Sequence, residues 1–276
     1  MRHGFAGLIV ALGLLLGVPA RAQTAPLTVG IVPYLTPAVL IKLFQPLRTH
    51  LEKELGRPVE LYTAPDVRSF VRRTLKPNFD LVITAAHFAR IAQLDGGYVP
   101  IARLSGPLHA AIVVRQDSAL TELRDLRGQR IAMTDRSILV NIAVLRLLAD
   151  LGIGEEQLNL QPMNSQNSGI LAVTRGDADA TIIAHFTLEQ IPATQRTGVR
   201  ILFKSPPLPN ITLLLRPDLD AGARQSIRQA LTSFSATPDG QTFLQRNQFV
   251  DIQAVDDNFM KNLDVYLPET RRQLAP

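Results

Sequence analysis

Short, nearly unbroken apolar runs alternate along this chain with longer segments whose apolar residues recur every three or four positions, the pattern of buried strands followed by amphipathic helices. LTVGIV (27–32), VELY (59–62), DLVIT (80–84) and VPIARL (99–104) predict strands. Helices are predicted between them. One runs from Pro37 to about Leu55, where Thr36-Pro37 supplies a cap and a favoured first residue and Gly56 a stop. Others run from Val67 to Leu75 and near Phe88 to Leu94. Repeated strand–helix units of this kind predict a largely parallel sheet.

A second series begins after Gly106-Pro107-Leu108-His109, with a strand at AAIVVR (110–115), a turn at Arg127-Gly128, a strand from Arg130 to Met133 and a helix from Leu139 to Leu151. The stretch from Asn164 to Ile191 is the most informative. Ile170, Leu171 and Val173 give a helix face, Arg175-Gly176 stops that helix, Asp177 and Asp179 flank a turn, and Ala180 to Ile183 form a strand covered on both faces. Ala184, His185 and Phe186 fall at the carboxyl end of that strand, where open α/β sheets bind ligands. Packing of Phe186 in the core with His185 as a cap explains the same positions equally well. A proline-dense segment from Lys204 to Asn210 then precedes the strand ITLLLR (211–216).

Two extended crossings, near 107–114 and 204–213, predict a two-stranded hinge. The expected architecture is a two-lobed α/β fold, each lobe a mostly parallel sheet flanked by helices. Residues 23–107 plus 211–276 form lobe 1 and residues 108–210 form lobe 2. Helices near 221–235, 238–247 and 256–263 pack on the first lobe.

The first 22 residues read as a cleaved export signal: Arg2 and His3 are basic, Phe5 to Val18 are apolar apart from glycine, and Ala20-Arg21-Ala22 is a cleavage site. With no cysteine, the chain has neither disulfides nor a lipidated amino terminus, so the expected location is the periplasm, free of a lipid anchor. Without Arg2 and Arg21, 27 basic residues stand against 24 acidic ones, too slight an excess to predict nucleic-acid binding.

On AAIVVRQDSALTELRDLRGQRIAM, NSQNSGILAVTRGDADATII and KSPPLPNITLLLRPDL, the chain resembles the phosphate, phosphite and phosphonate ABC-transporter binding proteins of the type II periplasmic fold. The resemblance implies capture of a small oxyanion or phosphorylated compound between two lobes, an inner-membrane ABC permease as partner, a monomer, no cofactor and no catalysis. It also implies a run of hydroxyl residues after the strand ending at Met133. Here the run is Thr134-Asp135-Arg136-Ser137-Ile138-Leu139-Val140, with three aliphatic residues where hydroxyls are expected. No acid stands at the positions that hold an ammonium group in relatives, which appear here as His185 and Asn210-Ile211. The expected ligand residues are Tyr34, His87, Phe88, His109, Arg136, Ser137, Ile138, His185, Phe186 and Asn210. A carrier of an apolar lipid or sterol-like molecule, lined by Ile138, Leu139, Val140, Phe88, Phe186 and Leu208, is the alternative, as is a sensor for a membrane kinase. Three histidines could ligate a metal, yet no paired histidine spacing supports it, and no nucleophile elbow, Walker loop or carboxylate pair points to an enzyme.

Overall fold

The computed structural model describes residues 25–275; the export signal read in the sequence lies outside them. In chain order the elements are β1 (Leu27–Ile31), α1 (Pro37–Leu55), β2 (Val59–Tyr62), α2 (Val67–Thr74), β3 (Leu81–Thr84), α3 (Ala86–Gly96) and β4 (Val99–Leu104). There follow β5 (Ala110–Arg115), β6 (Arg130–Met133), α4 (Leu139–Asp150), β7 (Asn159–Pro162), α5 (Gln166–Arg175), β8 (Ala180–Ala184), α6 (Thr187–Gln190) and β9 (Val199–Lys204). The chain ends with β10 (Thr212–Leu215), α7 (Ala221–Phe234), α8 (Pro238–Arg246), β11 (Ile252–Ala254), α9 (Asp257–Asn262) and α10 (Leu267–Leu274).

The strands form two sheets, ordered β11-β4-β10-β3-β1-β2 and β7-β6-β8-β5-β9. β1 pairs in parallel with β2 and β3, and β6 does so with β7 and β8. The strands adjoining the lobe crossings run the other way: β5 is antiparallel to β8 and β9, and β10 to β3 and β4. A parallel neighbour needs a helical crossover, whereas here the chain passes between sheets in extended form and arrives reversed. At the crossings Leu108 and Leu208 bridge each other, the Ser205 amide donates to the Ala110 carbonyl at 2.8 Å, and Asn210 Nδ2 donates to the Gly106 carbonyl at 3.2 Å.

Both sheets are built around the same local device. Asp80, just before β3, accepts from the Thr28 amide at 2.8 Å and pairs with Arg216, while Asp179, just before β8, accepts from the Arg130 amide at 2.9 Å and from its guanidinium. Each carboxylate satisfies an amide at the start of a neighbouring strand and is thereby consumed structurally. α5 lies so close on β8 that a Cβ on Gly169 would stand 2.3 Å from Thr181 Oγ1, and Gly176 ends the helix at φ +79°, a region costly for other residues. β7, β9, β11 and α10 were not expected from the sequence. β7 (NLQP) is polar and partly exposed, β9 is half-buried at a sheet edge, and β11 has three residues, so none carries the apolar run of a central strand.

Candidate functional site

The two lobes meet across the carboxyl ends of their parallel strands. Several polar contacts join them there. His87 Nε2 bonds the Ser137 carbonyl at 2.8 Å, the Gln166 amide donates to the Tyr34 carbonyl at 3.0 Å, and the Thr36 amide donates to Asn167 Oδ1 at 3.1 Å. Arg68 and Asp135 form an ion pair at 3.2 Å, and Gln190 Nε2 donates to Asn247 Oδ1 at 2.8 Å. An aromatic chain from Tyr34 through Phe186 to Phe249 adds edge-on packing, with centroids 6.3 and 5.3 Å apart. The lobes are therefore in contact, in a closed arrangement.

Between them lies a cavity of about 50 Å³. Val32, Tyr34, Ala85 and Phe88 line it from the first lobe, and Ile138, Leu139, Val140, Gln166, Ala184 and Phe186 from the second. Leu108 and Ile211 close it from the two crossings. No charged side chain reaches it. Outside Ile138 the cleft widens into a groove of about 440 Å³ whose walls include Pro33, Pro65, Met133 and Met163 and whose charges are Asp66, Arg68, Asp135 and Arg136.

The cavity wall contains the start of α4. Ile138 occupies its cap position without a side-chain bond, after a turn in which its amide donates to the Asp135 carbonyl at 3.1 Å. Such a terminus favours negative charge by at most about 2 kcal/mol. Gln166 faces the same space. Its Oε1 accepts from the Ala184 amide at 2.9 Å and from Thr187 Oγ1 at 2.5 Å, which fixes the carboxamide. The Tyr34 hydroxyl is buried beside the Gln190 side chain, and burial pushes its phenol pKa upward, keeping it neutral. The cavity wall is almost wholly apolar.

Of the residues expected from the sequence, Tyr34, Phe88, Ile138 and Phe186 line the cavity. The others sit elsewhere. Ser137 is fully buried, with its hydroxyl donating to Asp135 Oδ1 at 2.6 Å, and Arg136 pairs with Glu155 beside the outer groove. Asp135 faces Arg68 and Ser137 and not the cavity. His87 is the bridge to the loop before α4; burial pushes its imidazole down to about 4, so it is neutral. His109 and His185 belong to the hinge. The His109 amide donates to His185 Nδ1 at 3.1 Å, His109 Nδ1 bonds the Ser205 carbonyl at 2.7 Å, and burial, with His109 nearby, holds His185 at about 4. Asn210 Oδ1 accepts from the Ile211 amide at 2.8 Å, another hinge contact. Gln166 and Asn167 were missed; two carboxamides directly after the Ser165 cap were the available signal. Among the described residues no cluster of three histidines or carboxylates could hold a metal, and no helix is long and apolar enough to cross a membrane.

Solved structures share this fold. PhnD1 from Prochlorococcus marinus in complex with methylphosphonate superposes with a TM-score of 0.80 at 15% identity, covering 89% of this chain and 98% of that one. A binding protein component of an ABC phosphonate transporter from Pseudomonas aeruginosa gives 0.74 at 16% identity, over 91% of this chain and 89% of that one. A Xanthomonas citri protein bound to chloride gives 0.67 at 19% identity, over 90% and 98%. At such identities these likenesses speak for the fold, a two-lobed periplasmic binding protein. The family model for the ABC transporter, phosphonate, periplasmic substrate-binding protein matches residues 29–259. With that match spanning most of its length, the chain belongs to the phosphonate ABC-transporter periplasmic substrate-binding protein family.

Proposed function

We propose that this protein captures a small solute bearing phosphoryl-type acceptor oxygens in the cavity between its lobes and presents the closed form to an inner-membrane ABC permease. The observation that carries this reading is the cavity that residues of both lobes line together in a chain of this family. The residues assigned to the solute are Tyr34, Phe88, Ile138, Phe186, Gln166 and the Leu139 and Val140 amides. His87 and Asn167 act as closure contacts, and His109, His185 and Asn210 as hinge residues. Binding shifts an equilibrium between open and closed lobes, because only the closed form contacts the solute from both sides.

The mature chain works as a monomer, freed by cleavage of its signal and without a lipid anchor, and performs no chemistry on its solute. The carboxylates that might have suggested acid–base work, Asp80 and Asp179, are tied to Arg216 and Arg130. A cavity of about 50 Å³ has no room for an acyl chain or a sterol, and the family relationship does not favour a lipid carrier. The test is thermal unfolding of the mature protein with phosphite, methylphosphonate and their methyl esters. A saturable rise in Tm with at least one is expected; none with any, for protein freed of co-purified solute by refolding, would contradict the reading.

A further inference from the structure

We infer that Asp135 is a built-in competitor for the oxyanion of the solute: its carboxylate engages, from within the chain, donors of both lobes that a captured anion would otherwise take. This deepens the reading of the cleft as the solute site and rests on it. Asp135 lies in the loop that follows β6. Its Oδ1 accepts from the Ser137 amide at 2.8 Å and from the Ser137 hydroxyl at 2.6 Å, both of the second lobe, while Oδ2 accepts at 3.2 Å from Arg68 Nε on α2 of the first lobe. A hydroxyl, a backbone amide and a guanidinium gathered around two oxygens are the groups that hold an oxyanion. Here the loop itself supplies that oxyanion.

Ser137 is fully buried and precedes Ile138, which lines both the inner cavity and the outer groove, and Arg68 and Asp135 line that groove. An apolar substituent suits the inner cavity, but a charge does not, so the charged end of a solute belongs with the donors that border the groove. The other charges there are engaged separately. Arg136 pairs with Glu155, and Asp66 caps α2 by accepting from the Ser69 amide at 2.7 Å and the Ser69 hydroxyl at 2.8 Å. An anion that reaches Ser137 and Arg68 must displace the Asp135 carboxylate or meet it as a like charge at close range. Either way Asp135 lowers affinity for anions. Because its pair with Arg68 crosses the cleft, the same carboxylate also favours closed lobes, with the modest strength of a partly exposed ion pair.

Asp135→Asn tests this, since the carboxamide keeps an acceptor oxygen for Ser137 and removes the charge. Titration calorimetry of the mature protein with phosphite and methylphosphonate near neutral pH should show affinity for at least one of them at least about tenfold above wild type. Asp66→Asn removes a charge from the same groove without freeing Ser137 or Arg68, and should gain no more than about twofold. Adding Arg68→Gln to Asp135→Asn should abolish most of the gain, because the freed donor is then missing. Equal gains from Asp135→Asn and Asp66→Asn, or a gain that survives Arg68→Gln, would reduce the effect to general repulsion and overturn the inference. Wild-type binding that Asp135→Asn leaves unchanged would also overturn it, with the cleft still the solute site. If neither wild type nor any variant binds either probe, both the inference and the reading beneath it fall.

Discussion

Two helices of the second lobe begin at the cleft, and they begin in opposite ways. α5 starts with Ser165, whose hydroxyl accepts from the Ser168 amide at 3.3 Å, and its next two residues spend their polar groups on the first lobe: the Gln166 amide on the Tyr34 carbonyl and the Asn167 side chain on the Thr36 amide and hydroxyl. α4 starts with Ile138, Leu139 and Val140, has no side-chain cap and borders the cavity. One terminus is saturated by closing the protein. The other is left open by the sequence at a cost in helix stability, for capping side chains contribute about 1 kcal/mol. The contrast separates a latch from a receptor: the Gln166 backbone amide and Asn167 hold the lobes together, and the first residues of α4 border what lies between them.

The largest effect should come from spoiling the receptor side. Val140→Asp places a carboxylate against the aliphatic wall, exposed while the lobes are apart and buried when they close. The uncompensated burial costs roughly 3 kcal/mol or more, so solute affinity measured by calorimetry should fall at least about a hundredfold, with far-ultraviolet circular dichroism unchanged.

The bridge that anchors the loop before α4 titrates. His87 is lowered from 6.5 to about 4 by burial, so between those values the unfolded chain carries a proton the folded one does not. Stability is full above about pH 6.5, declines as pH falls through that window and levels off below about pH 4. The loss from this residue is on the order of 3 kcal/mol, and His185, held down by burial beside His109, adds in the same direction. Urea midpoints between pH 4 and 7 should trace the decline, and His87→Asn should flatten part of it.

A smaller change is expected on the latch side. Asn167→Ala removes the bonds to Thr36 and is expected to favour the open form by about 1–2 kcal/mol, lowering solute affinity about tenfold while leaving the ranking among solutes intact. A change in ranking would mean that Asn167 also reads the solute. Ser165→Ala, which loses only the cap, should lower Tm by about 2–4 °C.

The same contrast explains what was legible in the sequence. Central strands such as DLVIT and ATII announce themselves because burial on both faces demands apolar runs, and Gly56 and Gly176 mark helix ends through their left-handed backbone. The aliphatic start of α4 was readable as a departure from the hydroxyl run. The partners of individual polar groups were not. His185 follows β8 and His109 and Asn210 lie at the crossings, and their bonds go to neighbouring backbone there, a matter of side-chain direction that spacing does not encode. Gln166 and Asn167 went unseen because their partners, Ala184, Thr187 and Thr36, are distant in sequence or across the cleft. β9 and β11 were invisible because half-buried or very short edge strands lack a strong alternation.

The central claim is that a solute enclosed at the α4 terminus draws the lobes together. Because the chain has no cysteine, spin labels can be placed cleanly at Arg72→Cys, on α2 one turn beyond the groove residue Arg68, and at Asn164→Cys, which lines the groove from the second lobe, both exposed. Pulsed electron spin resonance should give a longer and a shorter distance without solute, and a saturable shift to the shorter one with whichever probe binds most tightly. A single distance unmoved by a bound probe would contradict the account.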